Sequence, residues 1–538
     1  MGCIASVLGQ PGLAADLYGP DPSFFASFSP LSPFPAFNAG WLSAGNGASN
    51  DHYAPAEHFL NSWDVGVLGT RWVFTGRGNF PDTPTVEGNN VYASDSGGSV
   101  WQINAQTGQS KWEAKLPSAT GNAGSTSRVS PAIGPSTVIV GDQAAATVIA
   151  LSKADGAPVW QTTLASDLGA IITASPVIVG DHVYVGVSSM QETLAASQPG
   201  FVPTFRGSVA ALDLHNGHVV WQTYTVPQGF TGGAVWGSNL AVDQARHAVY
   251  ASTGNNYSVP AAVAACQTAA ATPAQLAACL PADDRIDSIV SLNSDTGQVN
   301  WGRSFQAADT WTVSCQPSTR PLASPCPSPS GVDADFGSAP NLFSMTSGGV
   351  AHEVVGAGEK SGVYWALDRD SGQTLWATQV GPGGANGGIQ FGAATDGTRV
   401  YVANANSEFT STTLVPSGQR TNGGFWSALD VSSGQILWQT PTFLPQPLVP
   451  PNPVPAGALA KVEGSISVAN GVMYGEDTAG AFVSLDAATG RVLKTFQSGG
   501  SSIAGPAIAQ GTLYWGSGGA AYYGPTTNKL YALSLDGR

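Results

Sequence analysis

The stretch VWQINAQTGQSKW, residues 100–112, contains the pattern that decides the fold: alternating apolar residues, a polar turn with glycine, three more residues and a tryptophan. The same pattern recurs along the chain, in copies that end at Trp160, Trp221, Trp301, Trp376, Trp438 and Lys494, where lysine replaces the tryptophan. A glycine that takes a positive φ allows a tight turn between two antiparallel strands. Each copy is therefore predicted to be a β-hairpin.

Further alternating runs between the copies bring each repeat to about four strands, and four-stranded sheets repeated around an axis form a β-propeller. NKLYALSLDGR, residues 528–538, supplies the first half of the pattern without a tryptophan strand, and GTRWVFTG, residues 69–76, supplies a tryptophan strand alone. We therefore predict an all-β, eight-bladed β-propeller, closed by an N-terminal strand that completes the last blade, as a single domain over residues 41–538. A smaller propeller with a side domain is the alternative, because some intervals between the tryptophans are long.

The composition excludes several classes of function. Charged residues make up 10% of the chain and there are 67 glycines, which suits many short strands joined by tight turns. The formal net charge of −15 would repel a phosphate backbone, so nucleic acid is not an expected partner. The chain has no apolar run of roughly eighteen residues, and we predict no transmembrane span.

Two insertions rich in proline and alanine each carry two cysteines. Pairing within each loop, Cys266 with Cys279 and Cys315 with Cys326, is the simplest arrangement and implies an oxidising compartment. Metal binding by these cysteines is the alternative, although their spacing matches no zinc pattern. The sequence has no C-x-x-C-H motif, so covalent haem is not expected.

Residues 1–40 are interpreted as an N-terminal extension of disordered or targeting type. MGCIASVLGQ, residues 1–10, matches the N-myristoylation pattern and places Cys3 where palmitoylation would complete a membrane anchor. The basic start and long apolar run of a signal peptide are not present. The paired cysteines favour a secreted or periplasmic protein, and N-terminal acylation with membrane association is the alternative.

The order of the repeats and of the segments between them resembles the pyrroloquinoline quinone (PQQ) dehydrogenases, in particular their polyvinyl alcohol dehydrogenase-like branch. The resemblance runs from GWLSAGNGASNDHYAP, residues 40–55, through all eight blades. It implies an oxidoreductase that oxidises an alcohol, either a polyvinyl alcohol-like polymer or a small primary or secondary alcohol. It also implies PQQ as cofactor, Ca²⁺ or another divalent or lanthanide cation, and a separate electron acceptor such as a cytochrome c.

Within AVWGSNLAVDQARHAVYASTGNNYS, residues 234–258, the resemblance implies that Trp236 forms the floor under the quinone and that Asn255 ligates the metal. An amide oxygen is a suitable neutral ligand for Ca²⁺. Outside this context Gly-Asn-Asn is more often an ordinary turn. Glu192, which follows a strand ending in Gly-x-Ser, matches the carboxylate metal ligand of the family, and a solvated loop glutamate is its alternative interpretation.

The general base of these alcohol dehydrogenases is an aspartate followed by Phe or Tyr. Asp335 in the DADF motif matches it and is also a predicted metal ligand. Asp333 and Asp309 are the alternative bases, and a turn cap is the alternative role of the DADF aspartates. Thr312 follows Trp311 where the family has an aspartate, so the cysteine loop separates the two halves of the motif.

Lys360 in GEKSGVYWALD matches the basic residue that the family directs at the quinone oxygens, and we predict a catalytic role for it. A cation there would stabilise negative charge on the reduced cofactor. Arg128 and Thr173 match cofactor-contacting positions of earlier blades, although the vicinal cysteine pair of some relatives is absent. Two other functions remain open: a non-catalytic scaffold for protein–protein interaction, and a relative that has lost catalysis, for which Thr312 is the main support.

Overall fold

The propeller has eight blades, which confirms the predicted fold and rules out the smaller ring with a side domain. The computed structural model describes residues 40–237, 239–316, 324–442, 460–519 and 526–537. The predicted N-terminal extension, apart from Gly40, lies outside these residues. Each blade is built on an antiparallel sheet of four strands, and burial decreases from the first strands to the fourth.

In blades 1 to 7 the strands follow one another along the chain, whereas the outer strand of blade 8 comes from the N-terminal part of the chain. Blades 1 and 2 consist of Thr85–Glu87, Asn90–Ser94, Ser99–Asn104 and Ser110–Lys115, then Ala132–Ile133, Thr137–Gly141, Ala146–Ser152 and Pro158–Ala165. Blades 3 and 4 consist of Val177–Val179, His182–Ser189, Ser208–Asp213 and Val219–Tyr224, with Ala170–Ile171 added, then Ala241–Asp243, Ala248–Ser252, Ser288–Asn293 and Val299–Ser304. Blades 5 and 6 consist of Asn341–Ser347, Val350–Gly358, Val363–Asp368 and Thr374–Gln379, then Ala394–Thr395, Arg399–Asn404, Phe425–Asp430 and Ile436–Pro441. Blades 7 and 8 consist of Ser467–Ala469, Val472–Glu476, Ala481–Asp486 and Val492–Gln497, then Ala507–Ala509, Thr512–Ser517, Lys529–Leu535 and Leu68–Thr75.

Helices and small additional ribbons lie in the connections between strands. The helices are α1 Leu116–Thr120, α2 Gln191–Ser197, α3 Ala261–Ala269 and α4 Pro273–Ala277, and two 3₁₀ turns span Val65–Val67 and Val313–Cys315. The additional two-stranded ribbons pair Thr231–Gly232 with Asn256–Ser258 and Thr412–Thr413 with Arg420–Thr421. Helix α2 and the second 3₁₀ turn contact each other.

Blade 8 contains the two parts of the sequence, residues 69–76 and 528–538, that each hold only part of the repeat. The strand Leu68–Thr75 pairs antiparallel with Lys529–Leu535, so that Leu68 lies opposite Leu535 and Thr75 opposite Lys529. This confirms the predicted closure. Because the last sheet is made from two distant parts of the chain, the ring has no unpaired edge at its seam.

In every blade except blade 7, the repeat tryptophan contacts the next blade. We call this contact the inter-blade latch. The indole Nε1 of Trp376 donates to the carbonyl of Val431 at 3.0 Å, and a Cβ added to Gly434 would lie 2.5 Å from that indole. The same latch joins Trp72 to Gly108, Trp112 to Gly156, Trp160 to Gly217, Trp221 to Gly297, Trp301 to Gly372 and Trp438 to Gly490. The repeat glycine is therefore required twice, by its positive φ and by the indole of the preceding blade. At blade 7, Lys494 replaces the tryptophan and its Nζ donates to the carbonyl of Gly66 at 3.1 Å.

Gly434→Ala is expected to lower the thermal unfolding midpoint more than Gly397→Ala. Both glycines have positive φ, 70° and 80°, so both variants carry the strain of an L-residue in this region. Only Gly434 meets an indole, since Gly397 has no atom within 4 Å of the added Cβ. The clash adds about 1–3 kcal/mol of destabilisation to the first variant. Equal midpoints in a thermal scan of the two variants would contradict the latch.

Candidate functional site

An open cavity of about 190 Å³ lies where segments of successive blades converge. Most of the predicted site residues line it: Arg128, Thr173, Glu192, Trp236, Asp333, Asp335 and Lys360. These residues belong to the connections of blades 2 to 5, and Gln390 from blade 6 lies in the same wall. Side chains from so many blades meet only close to the axis of a propeller, where the ends of the strands approach one another.

The carboxylate of Asp335 is held by three donors. The backbone N–H of Asn255 donates to Oδ1 at 2.7 Å, the indole Nε1 of Trp236 donates to Oδ2 at 2.9 Å, and Lys360 Nζ donates to Oδ2 at 3.1 Å. Charge-assisted hydrogen bonds of this length fix both the position and the orientation of the group. One lone pair of Oδ1 has no donor in this set, which leaves an acceptor site on a rigidly placed carboxylate.

Lys360 is buried between the two aspartates of the DADF motif. Its Nζ lies 2.7 Å from Asp333 Oδ1 and 5.3 Å from the centroid of the Trp236 ring. Burial opposes the charge, but the carboxylates of Asp333 and Asp335 outweigh it and raise the pKa of Lys360 above its usual value. The ammonium therefore persists at neutral pH beside the aromatic face, with the two carboxylates and the ring all contributing to its stabilisation.

The acidic residues of the cavity, Glu192, Asp333 and Asp335, outnumber its two basic residues, Arg128 and Lys360. Burial, and then the charges of Asp335 and Asp333, raise the pKa of Glu192 well above its usual value. Burial raises the pKa of Asp333 above its usual value, although Lys360 opposes the shift. The cluster therefore holds protons more readily than free carboxylates do when no other cation is bound. A divalent cation would compete for these oxygens and release those protons.

Asn255 lies beside Asp335 and is almost fully buried. Its Nδ2 donates to the carbonyls of Asn256 and Trp311 at 2.8 and 2.9 Å, which fixes the direction of the amide. Its Oδ1 is buried and has no hydrogen-bond partner. An amide oriented by two donor bonds, with its oxygen left over, is what a hard cation requires of a neutral ligand.

The residues present fit a quinone and a cation. Glu192, Asn255 and Asp335 offer two carboxylates and an amide oxygen, the ligand types that Ca²⁺ takes in proteins. Among the described residues, no three or more His, Cys, Asp or Glu side chains are already grouped to hold a metal ion. The Trp236 indole offers a flat face, and Gly337 admits it closely, since an added Cβ there would lie 2.8 Å from the ring.

Asp309, one of the alternative bases, does not line the cavity. Its carboxylate accepts the backbone N–H groups of Asp333 and Ala334 at 3.2 and 2.8 Å. Burial raises the pKa of Asp309 to about 6. Its place in the structure is behind the DADF segment, where it holds the backbone turn in which Asp333 adopts a φ of 63°.

Several residues of the cavity were not predicted from the sequence. Tyr257, Trp311, Met190 and Gln390 line it together with the predicted residues. The sequence contained a signal for Tyr257, because this residue directly follows the Gly-Asn-Asn segment. Gln390 offered none, since it lies in a connection of blade 6 that matched no motif.

A second, smaller cavity, of about 40 Å³, shares Arg128, Thr173 and Trp236 with the first. Trp236 therefore lines both spaces. Asp82 lines the second cavity, and burial raises its pKa to about 7 while the Ser94 hydroxyl and the Arg128 guanidinium oppose the shift.

Both predicted disulfides are present. Cys266 is bonded to Cys279 and Cys315 to Cys326, so metal binding by these cysteines is wrong. The first bond joins helix α3 to the residue that lies two positions after the end of α4 in the same insertion, and the second closes the loop that follows the 3₁₀ turn at the cavity. In the part of the chain that the structure covers, no helix is both long and apolar enough to cross a bilayer.

The family model PQQ_2, described as outer membrane protein assembly factor BamB, matches residues 69–199 and 359–538, more than half of the chain. The chain is 28% identical over 523 residues to the polyvinylalcohol dehydrogenase of Sphingopyxis sp. (strain 113P3), covering 89% of this chain and 74% of the relative. It is 27% identical over 542 residues to the polyvinylalcohol dehydrogenase of Pseudomonas sp., covering 93% and 77%.

Among solved structures, the quinohemoprotein alcohol dehydrogenase from Comamonas testosteroni superposes with a TM-score of 0.68 at 17% sequence identity. The superposition covers 93% of this chain and 81% of that chain. At this identity the likeness concerns the fold.

Proposed function

Because this chain belongs to the PQQ-dependent dehydrogenase family and is similar to its polyvinyl alcohol dehydrogenase branch, we propose that it oxidises an alcohol with PQQ as cofactor. The substrate is either a polyvinyl alcohol-like polymer or a smaller primary or secondary alcohol. The electrons pass to a separate acceptor such as a cytochrome c.

The observation that carries this proposal is the environment of Asp335. The carboxylate of Asp335 lines the open cavity and is held by Trp236 and Lys360, and next to it the buried amide of Asn255, which is not part of the cavity lining, has an oxygen without a hydrogen-bond partner. Together they offer a fixed proton acceptor and a cation ligand. Clusters of buried, mutually interacting titratable groups in a cleft are typical of catalytic sites.

The residues of the cavity take the following roles. The oxygens of Glu192, Asn255 and Asp335 hold the cation, and Asp335 also accepts the hydroxyl proton of the alcohol as general base. When bound, PQQ accepts the hydrogen of the carbinol carbon with its two electrons, and the cation withdraws charge from the quinone.

The remaining side chains bind and orient. Trp236 would provide a flat face for the quinone, and Arg128 and Thr173, from the connections of blades 2 and 3, would provide polar contacts to it. Lys360 keeps its ammonium in the cavity, where it stabilises negative charge that develops on the quinone oxygens. Held by Asp333 and Asp335, it is already oriented before substrate arrives, so no reorganisation is needed during the reaction.

A non-catalytic scaffold is the second candidate, and the description of the matching family model favours it. A scaffold binds partners through its rim and gains nothing from charges buried at the axis. Burying Asp333, Asp335 and Lys360 together has a desolvation cost that a well-packed apolar cluster would avoid. Their retention favours the enzyme.

Reconstitution with PQQ and Ca²⁺ tests the proposal. We expect the purified protein to acquire a stable quinone absorbance that remains after gel filtration, and to reduce an artificial dye when a secondary alcohol is added. Chelation of the cation is expected to abolish dye reduction and to release the quinone. A protein that acquires no quinone absorbance at any Ca²⁺ or lanthanide concentration would instead support the scaffold.

We also propose that the protein acts outside the cytosol, in the periplasm or as a secreted enzyme. Two disulfides support this location, because such bonds persist in oxidising compartments. The acylation pattern at residues 1–10 lies outside the described residues.

A further inference from the structure

Two segments that do not belong to the blades form one wall of the cavity. Met190, which precedes helix α2, and Val313, in the 3₁₀ turn before Cys315, both line it. The helix and the turn contact each other. We propose that Met190 and Val313 form an apolar wall that binds the hydrocarbon part of the alcohol, so that the preferred substrate is an extended aliphatic alcohol. This inference rests on the proposed function.

The apolar surface continues from the cavity to the outside. Met190 is 43% exposed, and Leu168 beside it is 66% exposed. The two are held together because Gln191 Nε2 donates to the carbonyl of Leu168 at 3.0 Å and the backbone N–H of Met190 donates to Gly169 at 2.8 Å. Val313 and Met190 line the cavity and the exposed Leu168 lies next to Met190 outside it, so we infer that the apolar wall continues as a strip from Val313 through Met190 to Leu168.

This wall is anchored on more than one side. The Cys315–Cys326 disulfide closes the loop next to Val313. Gln316 Nε2, one residue further, donates to Asn386 Oδ1 at 3.3 Å and so ties the segment to the connection that precedes blade 6. A surface that is already in place before the ligand arrives binds with less loss of conformational freedom.

The cavity has a charged surface on one side and an apolar surface on the other. This division indicates the substrate class. Asp333, Asp335 and Lys360 provide charge on one side, where the hydroxyl group must react. Met190 and Leu168 present large apolar side chains that a one- or two-carbon alcohol would leave in water. An aliphatic chain that runs along the strip would bury them, and each methylene buried in this way increases affinity about fourfold.

The test uses the full chain loaded with PQQ and Ca²⁺ and a series of secondary alcohols from 2-propanol to 2-dodecanol. The wild type is expected to show kcat/KM rising about fourfold per methylene until the chain passes Leu168. Met190→Ser and Val313→Ser are each expected to lower kcat/KM for 2-octanol about tenfold more than for 2-propanol. Leu168→Ser is expected to affect only the longest alcohols.

Val350→Ser is the matched control, because Val350 is an exposed valine in a hairpin of blade 5 that does not line the cavity. It is expected to leave the whole series unchanged. If the wall variants turn over all alcohols with the chain-length slope of the wild type, the inference is overturned.

Failure of the proposed function can be distinguished from failure of this inference. A protein without quinone absorbance would remove the enzyme proposal, and the wall would then be tested by saturation-transfer NMR with 2-octanol on the same variants. Saturation transfer that Met190→Ser and Val313→Ser abolish would support the wall. Transfer that both variants retain, or that the wild type lacks, would overturn it.

Discussion

Asp335→Asn is expected to lower kcat for alcohol oxidation about a thousandfold while the quinone absorbance of the reconstituted protein is retained. An amide cannot accept the hydroxyl proton, and loss of a general base costs on the order of 10²–10⁴ in rate. The asparagine oxygen can still accept from Trp236 and Lys360, but its NH₂ group would then face the N–H of Asn255. We expect a moderate loss of stability from this mismatch, about 1–3 kcal/mol.

Dye reduction under saturating alcohol and PQQ gives the rate, and the absorbance of the same samples gives cofactor occupancy. Asp309→Asn is the matched control, since Asp309 is also a buried aspartate but binds backbone N–H groups and does not line the cavity. Asp309→Asn is expected to change the free energy of unfolding more than the rate of dye reduction. If Asp335→Asn turns over normally and Asp333→Asn does not, the base is Asp333.

Lys360→Met is expected to destabilise the fold by about 3–5 kcal/mol at neutral pH, because it leaves the buried carboxylates of Asp333 and Asp335 without their cation. The loss of folding stability in this variant is expected to depend on pH. Without the ammonium, burial holds the pKa of Asp333 above its unfolded value, so the contribution of this acid to stability is present at low pH and is lost as pH rises. We therefore expect a smaller deficit at pH 5 than at pH 8.

Urea denaturation of the metal-free protein at the two pH values measures this difference. Lys115→Met is the control, because Lys115 is exposed and its loss is expected to have little effect. The double variant Lys360→Met with Asp333→Asn is expected to recover part of the stability, since one of the two unpaired charges is removed. A deficit of equal size at both pH values would show that packing of the lysine stem, and not its charge, accounts for the loss.

The architecture was predictable because its signal is repeated. The hairpin pattern and its split copy at residues 69–76 and 528–538 were sufficient to predict eight blades and the closing pair of strands. The inter-blade latch was not predicted, because it joins Trp376 to a glycine of the following repeat and such a contact appears only when the blades are stacked. The fixed spacing of glycine and tryptophan in every repeat was the available signal.

The site was predictable to the extent that a family motif marked each residue. Trp236, Asp335 and Lys360 lie together around one carboxylate, although they are separated by up to 124 positions in the sequence. Which of them hydrogen-bond could not be read from the sequence, since this depends on the angle at which blades 4 and 5 meet. Met190 and Val313 matched no motif, because the segments that carry them are insertions outside the repeat.

Lys494 makes the contact between blades 7 and 8 different from the other inter-blade latches. Its bond to the carbonyl of Gly66 is exposed to water, whereas the indoles of the other latches are largely shielded. We therefore expect thermal opening of the ring to begin between blades 7 and 8, which lie across the axis from blades 2 to 5, whose connections line the cavity. Flexibility is thereby concentrated far from the carboxylates and the indole of the cavity, so the ring can open there without disturbing the geometry of the candidate site.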